Sequence, residues 1–243
     1  MFDSLLSMTW RDTLFLHWPV DRDVGNRLPA GVDLDAHDGQ AWLGLVAFVM
    51  EDVRPRGSPF GLTFPEVNLR TYVRGHDGTP AIYFFTLDAA DPLGVAVARV
   101  LFRLAYYRAA ASVRRVGEDV IFRSRRTHPG VPTARFDARF GPAPGAEPFV
   151  PDEGTVAQFL TERYRFYTGT TDRDGALYYG DIDHPPWDLT PGRADVRTNT
   201  LFAADGLTEP EGDPLVYYCP RLDVTAGAVH RVRRDAVRAE RAG

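Results

Sequence analysis

From Glu66 to Val73 polar and apolar residues occupy opposite parities: Glu66, Asn68, Arg70 and Tyr72 at one, Val67, Leu69, Thr71 and Val73 at the other. Residues two apart in a strand point to the same side of a sheet, so a carboxylate, an amide, a guanidinium and a phenol share one face. Across the turn Gly75-His76-Asp77-Gly78 the expected partner is Pro80–Leu87, with Ile82 and Phe84 on one face and Tyr83, Phe85 and Leu87 on the other. A strand apolar on both faces is buried on both. Its hairpin neighbour is then buried too, and the polar face of Glu66–Val73 is expected to point into an interior.

Similar β-rich segments recur at Thr13–Trp18, Ala41–Met50, Asp119–Arg123, Ala134–Phe140, Tyr164–Thr168, Ala176–Ile182 and Leu215–Cys219, with a second tight turn at Asp172-Arg173-Asp174-Gly175. This spacing predicts a large antiparallel sheet or barrel. Two helices are expected beside it, giving an α+β fold. Asp91-Pro92 reads as a cap and first-turn proline, followed by an almost wholly apolar run to Tyr107 that carries Arg99 and Arg103 four apart. The second helix begins near Asp152 and places Val156, Phe159, Leu160, Arg163 and Tyr164 on one face. The proline-rich stretch 141–151 reads as a stiff connection. A single domain is expected over residues 1–225, with a basic tail over 226–243.

Charge and composition narrow the function. The formal net charge of -5 argues against a nucleic-acid or anionic-membrane partner. No apolar run reaches the roughly 20 residues of a membrane span, and the start lacks the basic region of a signal peptide, so a cytoplasmic protein is expected. A homo-oligomer stays open. With Cys219 as the only cysteine there is neither a disulfide framework nor a thiolate zinc site. The chain has no Walker loop, GxGxxG, GxSxG or HExxH motif, and no cofactor or metal is expected. Asp181-Ile182-Asp183-His184 has metal-ligating residue types, but reads better as a polar turn before Pro185-Pro186-Trp187. All 28 basic residues are arginine. Without a lysine, no side chain can form a Schiff base with a carbonyl.

Buried charges must be paired or hydrogen-bonded. Glu66 and Arg70 are therefore expected within ion-pair reach of each other, either as a pair that merely fastens the interior or as groups that line an enclosed cavity. In the second case Glu66 is the candidate general acid or base, and Arg70 the group that holds a carboxylate or enolate. Asn68, Tyr72, Tyr83, Phe85, Arg99, Tyr106, Tyr107 and Arg163 are the candidate surrounding residues.

FPEVNLRTYV (Phe64–Val73), AIYFFTLDA (Ala81–Ala89), FRLAYY (Phe102–Tyr107), FLTERYRFY (Phe159–Tyr167), HPPWDL (His184–Leu189), and AWLGLVAFVM followed by VRPRG together resemble the YqjF-like family, related to acetoacetate decarboxylase. The match runs from about Trp10 to Cys219. The resemblance implies a cone-like antiparallel barrel around a cavity, with Glu66 in the glutamate-bearing strand. It places the decarboxylase's lysine-bearing segment near Ala105–Arg108, where this chain reads AYYR. Lysine-dependent decarboxylation is thus excluded. Three functions remain: lyase- or hydrolase-like acid–base chemistry on a small organic acid or enol, non-catalytic binding of a small organic anion or hydrophobic molecule, and a structural or interaction role with a filled interior. The first two, on a small organic anion, rank ahead of the third.

Overall fold

The computed structural model describes residues 4–90, 106–169 and 176–232. Twelve strands form one sheet: β1 (Leu6–Val20), β2 (Val32–Leu34), β3 (Ala41–Pro55), β4 (Leu62–Gly75), β5 (Pro80–Ala89), β6 (Tyr106–Val116), β7 (Asp119–Arg126), β8 (Arg135–Pro142), β9 (Arg165–Gly169), β10 (Leu177–Asp183), β11 (Thr190–Asn199) and β12 (Leu215–Arg231). Two short helices, α1 (Val156–Thr161) and α2 (Leu201–Ala204), and a 3-10 turn at Arg22–Arg27 complete the described residues. Among these residues no helix is long and apolar enough to cross a membrane.

The strand order is β10-β9-β5-β6-β7-β8-β11-β12-β1-β3-β4-β2, and two further pairings, β10–β12 and β5–β4, close it on itself. The result is two circuits of hydrogen-bonded strands rather than one even barrel. One runs β4-β5-β9-β10-β12-β1-β3, and the other passes from β5 through β6, β7, β8 and β11 back to β12. The strands β12, β1, β3, β4 and β5 form a wall common to both. Pairing is antiparallel except at β5–β6 and β5–β9, which are parallel; the purely antiparallel sheet expected from the sequence is corrected to that extent.

The shared wall is buried on both faces, and the period-2 alternation sorts its residues between two interiors. Leu14, Leu16, Leu43, Leu45, Val67 and Leu69 point into the second circuit, where Phe122, Phe136 and Phe140 fill a packed core. Phe15, Val46, Phe48, Glu66, Asn68 and Arg70 point into the first circuit, around a cavity. The polar face of β4 is therefore an inner face, as its alternation predicts.

Several boundaries differ from the sequence reading, each for a physical reason. The β4–β5 register slips between Leu69 and Arg70, so Phe85 is an extra, bulged residue in β5. A bulge reverses the faces beyond it, and Leu87 consequently joins Ile82 and Phe84 on the cavity side. The helix expected from Asp91 lies outside the described residues, but its expected end at Tyr107 does not hold, because Tyr106 and Tyr107 begin β6. The second helix is one short element. Thr155 caps it by accepting from Gln158 N at 3.3 Å, and Arg163 Nε donates to Phe159 O at 2.7 Å just past its end. Arg163 and Tyr164 therefore lie beyond the helix, not on its face. β12 continues through Arg231, pairing Leu6 with Ala226 and Tyr178 with Arg231. The stretch 226–231, assigned to a basic tail by composition, instead closes the first circuit.

Candidate functional site

The cavity enclosed by the first circuit has a volume of about 840 Å³. Phe15, Val46, Phe48, Phe84, Phe166 and Trp187 supply much of its wall. At its mouth stand Leu5 and Phe60, the latter 83% exposed. Against this apolar lining β4 projects Glu66, Asn68 and Arg70 from alternate positions.

Glu66 is 1% exposed. The Tyr106 hydroxyl donates to its Oε2 at 2.6 Å, and Asn68 Nδ2 donates to Oε1 at 3.2 Å. Burial raises its pKa to about 7 against the opposing pull of these two hydrogen bonds, and the nearby Asp88 charge pushes the same way as burial. A carboxyl so placed is partly protonated near neutrality and can either give or take a proton. The Tyr106 phenol is raised well above its ordinary value by burial and by the Glu66 charge, so it remains a donor.

Arg70 is 7% exposed, with its guanidinium carbon 5.6 Å from the centre of the Phe15 ring. Among the described residues it forms no ion pair, and its Nε has no hydrogen-bond partner. Glu66 and Arg70 therefore line one cavity without joining each other. Beside Arg70 the Tyr72 hydroxyl and both His17 ring nitrogens are also buried without partners. Burial and the adjacent Arg70 charge lower the His17 pKa well below its ordinary value, leaving the ring neutral. Gly44 makes this crowding possible: a Cβ there would stand 3.0 Å from both His17 and the Tyr72 hydroxyl, and 3.4 Å from Arg70 Cγ.

Arg163 also reaches the cavity, but its charge is matched. Nη1 donates to Asp35 Oδ2 at 2.8 Å, and the guanidinium lies 4.2 Å over the Phe159 ring. The remaining candidates are dispersed. Tyr83 packs with Val73 and Tyr167, and Phe85 packs against the core of the second circuit, so neither lines the cavity. Tyr107 lies under the Arg126 guanidinium at 4.6 Å. Tyr72 shares the inner face and packs on Phe159 at 5.2 Å. Arg99 lies outside the described residues.

Two lining residues in HPPWDL were not among the sequence candidates. Trp187 is pinned by its indole N–H to Thr161 O at 3.0 Å and by its backbone N–H to Glu162 Oε1 at 2.9 Å. His184 Nδ1 lies 2.8 Å from the Pro185 carbonyl, which can only accept, so Nδ1 carries the proton and the buried Nε2 is a bare acceptor. Burial lowers the His184 pKa, keeping the ring neutral. The signal for both was a histidine and a tryptophan flanking two prolines, which also suits an ordinary turn. No group of three or more metal-ligating side chains occurs among the described residues. Asp181 instead pairs with Arg165 at 2.6 Å.

The closed sheet has a fold similar to that of acetoacetate decarboxylases. An acetoacetate decarboxylase from Legionella pneumophila superposes with a TM-score of 0.65 at 14% identity, over 94% of this chain and 87% of that one. The enduracididine biosynthesis enzyme MppR, complexed with pyruvate, superposes with a TM-score of 0.64 at 12% identity, over 95% and 90%. The chain belongs to the DUF2071 family of uncharacterized conserved proteins, whose model matches residues 7–223. It is 39% identical over 224 residues to the uncharacterized protein YqjF of Bacillus subtilis, covering 90% of this chain and 89% of that protein.

Proposed function

We propose that the chain binds a small organic anion in this cavity, with its carboxylate or enolate on Arg70, and that Glu66 and Tyr106 exchange a proton with it. The observation that carries the reading is Arg70: a buried guanidinium without a carboxylate partner among the described residues, facing the same cavity as a carboxyl whose pKa is raised to about 7. A buried cation is stable only with a counter-charge or hydrogen-bond acceptors, and a ligand anion supplies both. A structural relative complexed with pyruvate, itself a small carboxylate, is in keeping with this class. Absence of lysine excludes a Schiff base on any side chain.

Calorimetric titration with keto, hydroxy and aromatic monocarboxylic acids tests the binding. Arg70→Met should weaken it roughly 10- to 100-fold, the worth of a charge-assisted hydrogen bond. Arg70→Lys should fall between, because a point charge replaces a planar fork. Silence from every acid, with binding of a cation or nucleotide instead, would refute the assignment. Catalysis has its own readout: α-proton exchange of a bound keto acid in heavy water, present in the parent chain and lost in Glu66→Gln. Binding without exchange would identify a carrier or sensor rather than an enzyme.

A further inference from the structure

The polar groups of the cavity are unevenly committed. Glu66 is engaged by Tyr106 and Asn68, and Arg163 by Asp35 and Phe159 O. Arg70 is the buried cation of this lining that has no ion pair among the described residues. Among the described residues an uncommitted buried cation thus matches an anionic head group, whereas Arg56, also in the lining, is exposed. The rest of the ligand is then accommodated mostly by apolar side chains, which offer no hydrogen bonds.

Those side chains form a continuous apolar lining from the head-group end to the outside. Beyond Phe48 and Phe84 it passes along Met8, Met50 and Leu62 to the exposed Phe60. Two thioethers and an exposed aromatic at an opening are costly to leave against water and gain from apolar contact. A volume of about 840 Å³ lies near the top of the range that encloses drug-sized ligands. An acid of three or four carbons would touch Arg70 and leave most of this surface uncovered.

We infer that the ligand is a single-headed amphiphile, a monocarboxylate with an unbranched hydrocarbon body of about eight to twelve carbons, its head on Arg70 and its tail directed towards Phe60. The inference rests on the proposed anion site and specifies the body attached to that anion. Straight chains fit better than compact rings because the unbranched, flexible side chains of Met8 and Met50 line the path to the mouth. These adapt to a chain at any point along its length.

The test is a calorimetric series with the full chain and the sodium salts of butanoic, hexanoic, octanoic, decanoic and dodecanoic acids, each below its micelle concentration. The probes decan-1-ol and decylammonium complete the set. Affinity should rise about fourfold per added methylene, the value of burying one, at one ligand per chain, and level off when the tail emerges at the mouth. Decanol and decylammonium should bind at least tenfold more weakly than decanoate. Arg70→Met should abolish the difference between decanoate and decanol. Phe60→Ser, at an exposed position, should weaken dodecanoate without affecting butanoate. If butanoate binds and longer acids gain nothing, the inference fails while the anion site stands. If no acid of any length binds, both fail. If decanol matches decanoate on the parent chain, the head-group assignment fails.

Discussion

Arg126→Met should lower the stability of the fold by about 3–5 kcal/mol, the cost of leaving a buried partner charge uncompensated. Arg126 is 1% exposed. It donates to Asp88 at 2.8 Å, Thr86 at 2.6 Å and Asp205 at 3.3 Å, and covers the Tyr107 ring. Methionine fills most of the volume but strands two carboxyl groups. Burial already raises the Asp205 pKa to about 6 against the pull of Arg126, and also raises that of Asp88. Removing the arginine leaves only protonation as relief, so the loss should be larger at pH 8 than at pH 5. Urea unfolding at the two pH values measures it. Adding Asp88→Asn should recover part of the deficit. A loss below 1 kcal/mol at pH 8 would show that water reaches the network.

Glu66→Gln should stabilise the protein at pH values above about 4.5, increasingly so up to about pH 7. The folded-state pKa of about 7 exceeds the ordinary 4.5, so between those values the folded chain holds a proton that the unfolded chain has lost. Stability from this group is complete below about pH 4.5 and declines as pH rises towards 7, by roughly 3 kcal/mol in total. Glutamine does not titrate. Its Oε1 can still accept from Tyr106, and its amide can donate to the Asn68 Oδ1 that now lacks a partner. The stability difference between variant and parent should therefore be near zero at pH 4.5 and reach its maximum above pH 8. Parallel curves would mean that Glu66 titrates as an exposed carboxyl. The pair of outcomes, greater stability and lost proton exchange, would mark a residue kept for function at the expense of the fold.

Much of the architecture could be read from alternation. Each strong period-2 segment lies largely within an observed strand, and the Glu66–Val73 face points inward as its neighbour's two-sided apolarity requires. What escaped depends on contacts distant in sequence. β11, TPGRADVRTN, carries proline, glycine and charge, and becomes a strand because β8 pairs with it. The Phe85 bulge adds a residue without altering the apolar pattern, so nothing local announces that Leu87 changes sides. Of the candidate residues, Glu66, Asn68, Arg70, Tyr106 and Arg163 converge on the cavity because four lie on or beside one hairpin and the fifth follows α1. Tyr107 differs from Tyr106 by one position and hence by one face. His17 was hidden within LFLHW, where a single polar ring resembles a satisfied core histidine.

The wall common to both circuits places two duties on alternate letters of the same strands. Positions 45, 47, 67 and 69 face the packed core, whereas 46, 48, 66, 68 and 70 face the cavity. Substitutions at the second set can remodel ligand preference while the first set keeps its jigsaw intact. A single inserted or deleted residue in β3 or β4, however, would exchange the two sets at once. Point changes can thus alter what the cavity holds, whereas a change of length in these strands keeps both sets in place only where a bulge absorbs it, as at Phe85 in β5.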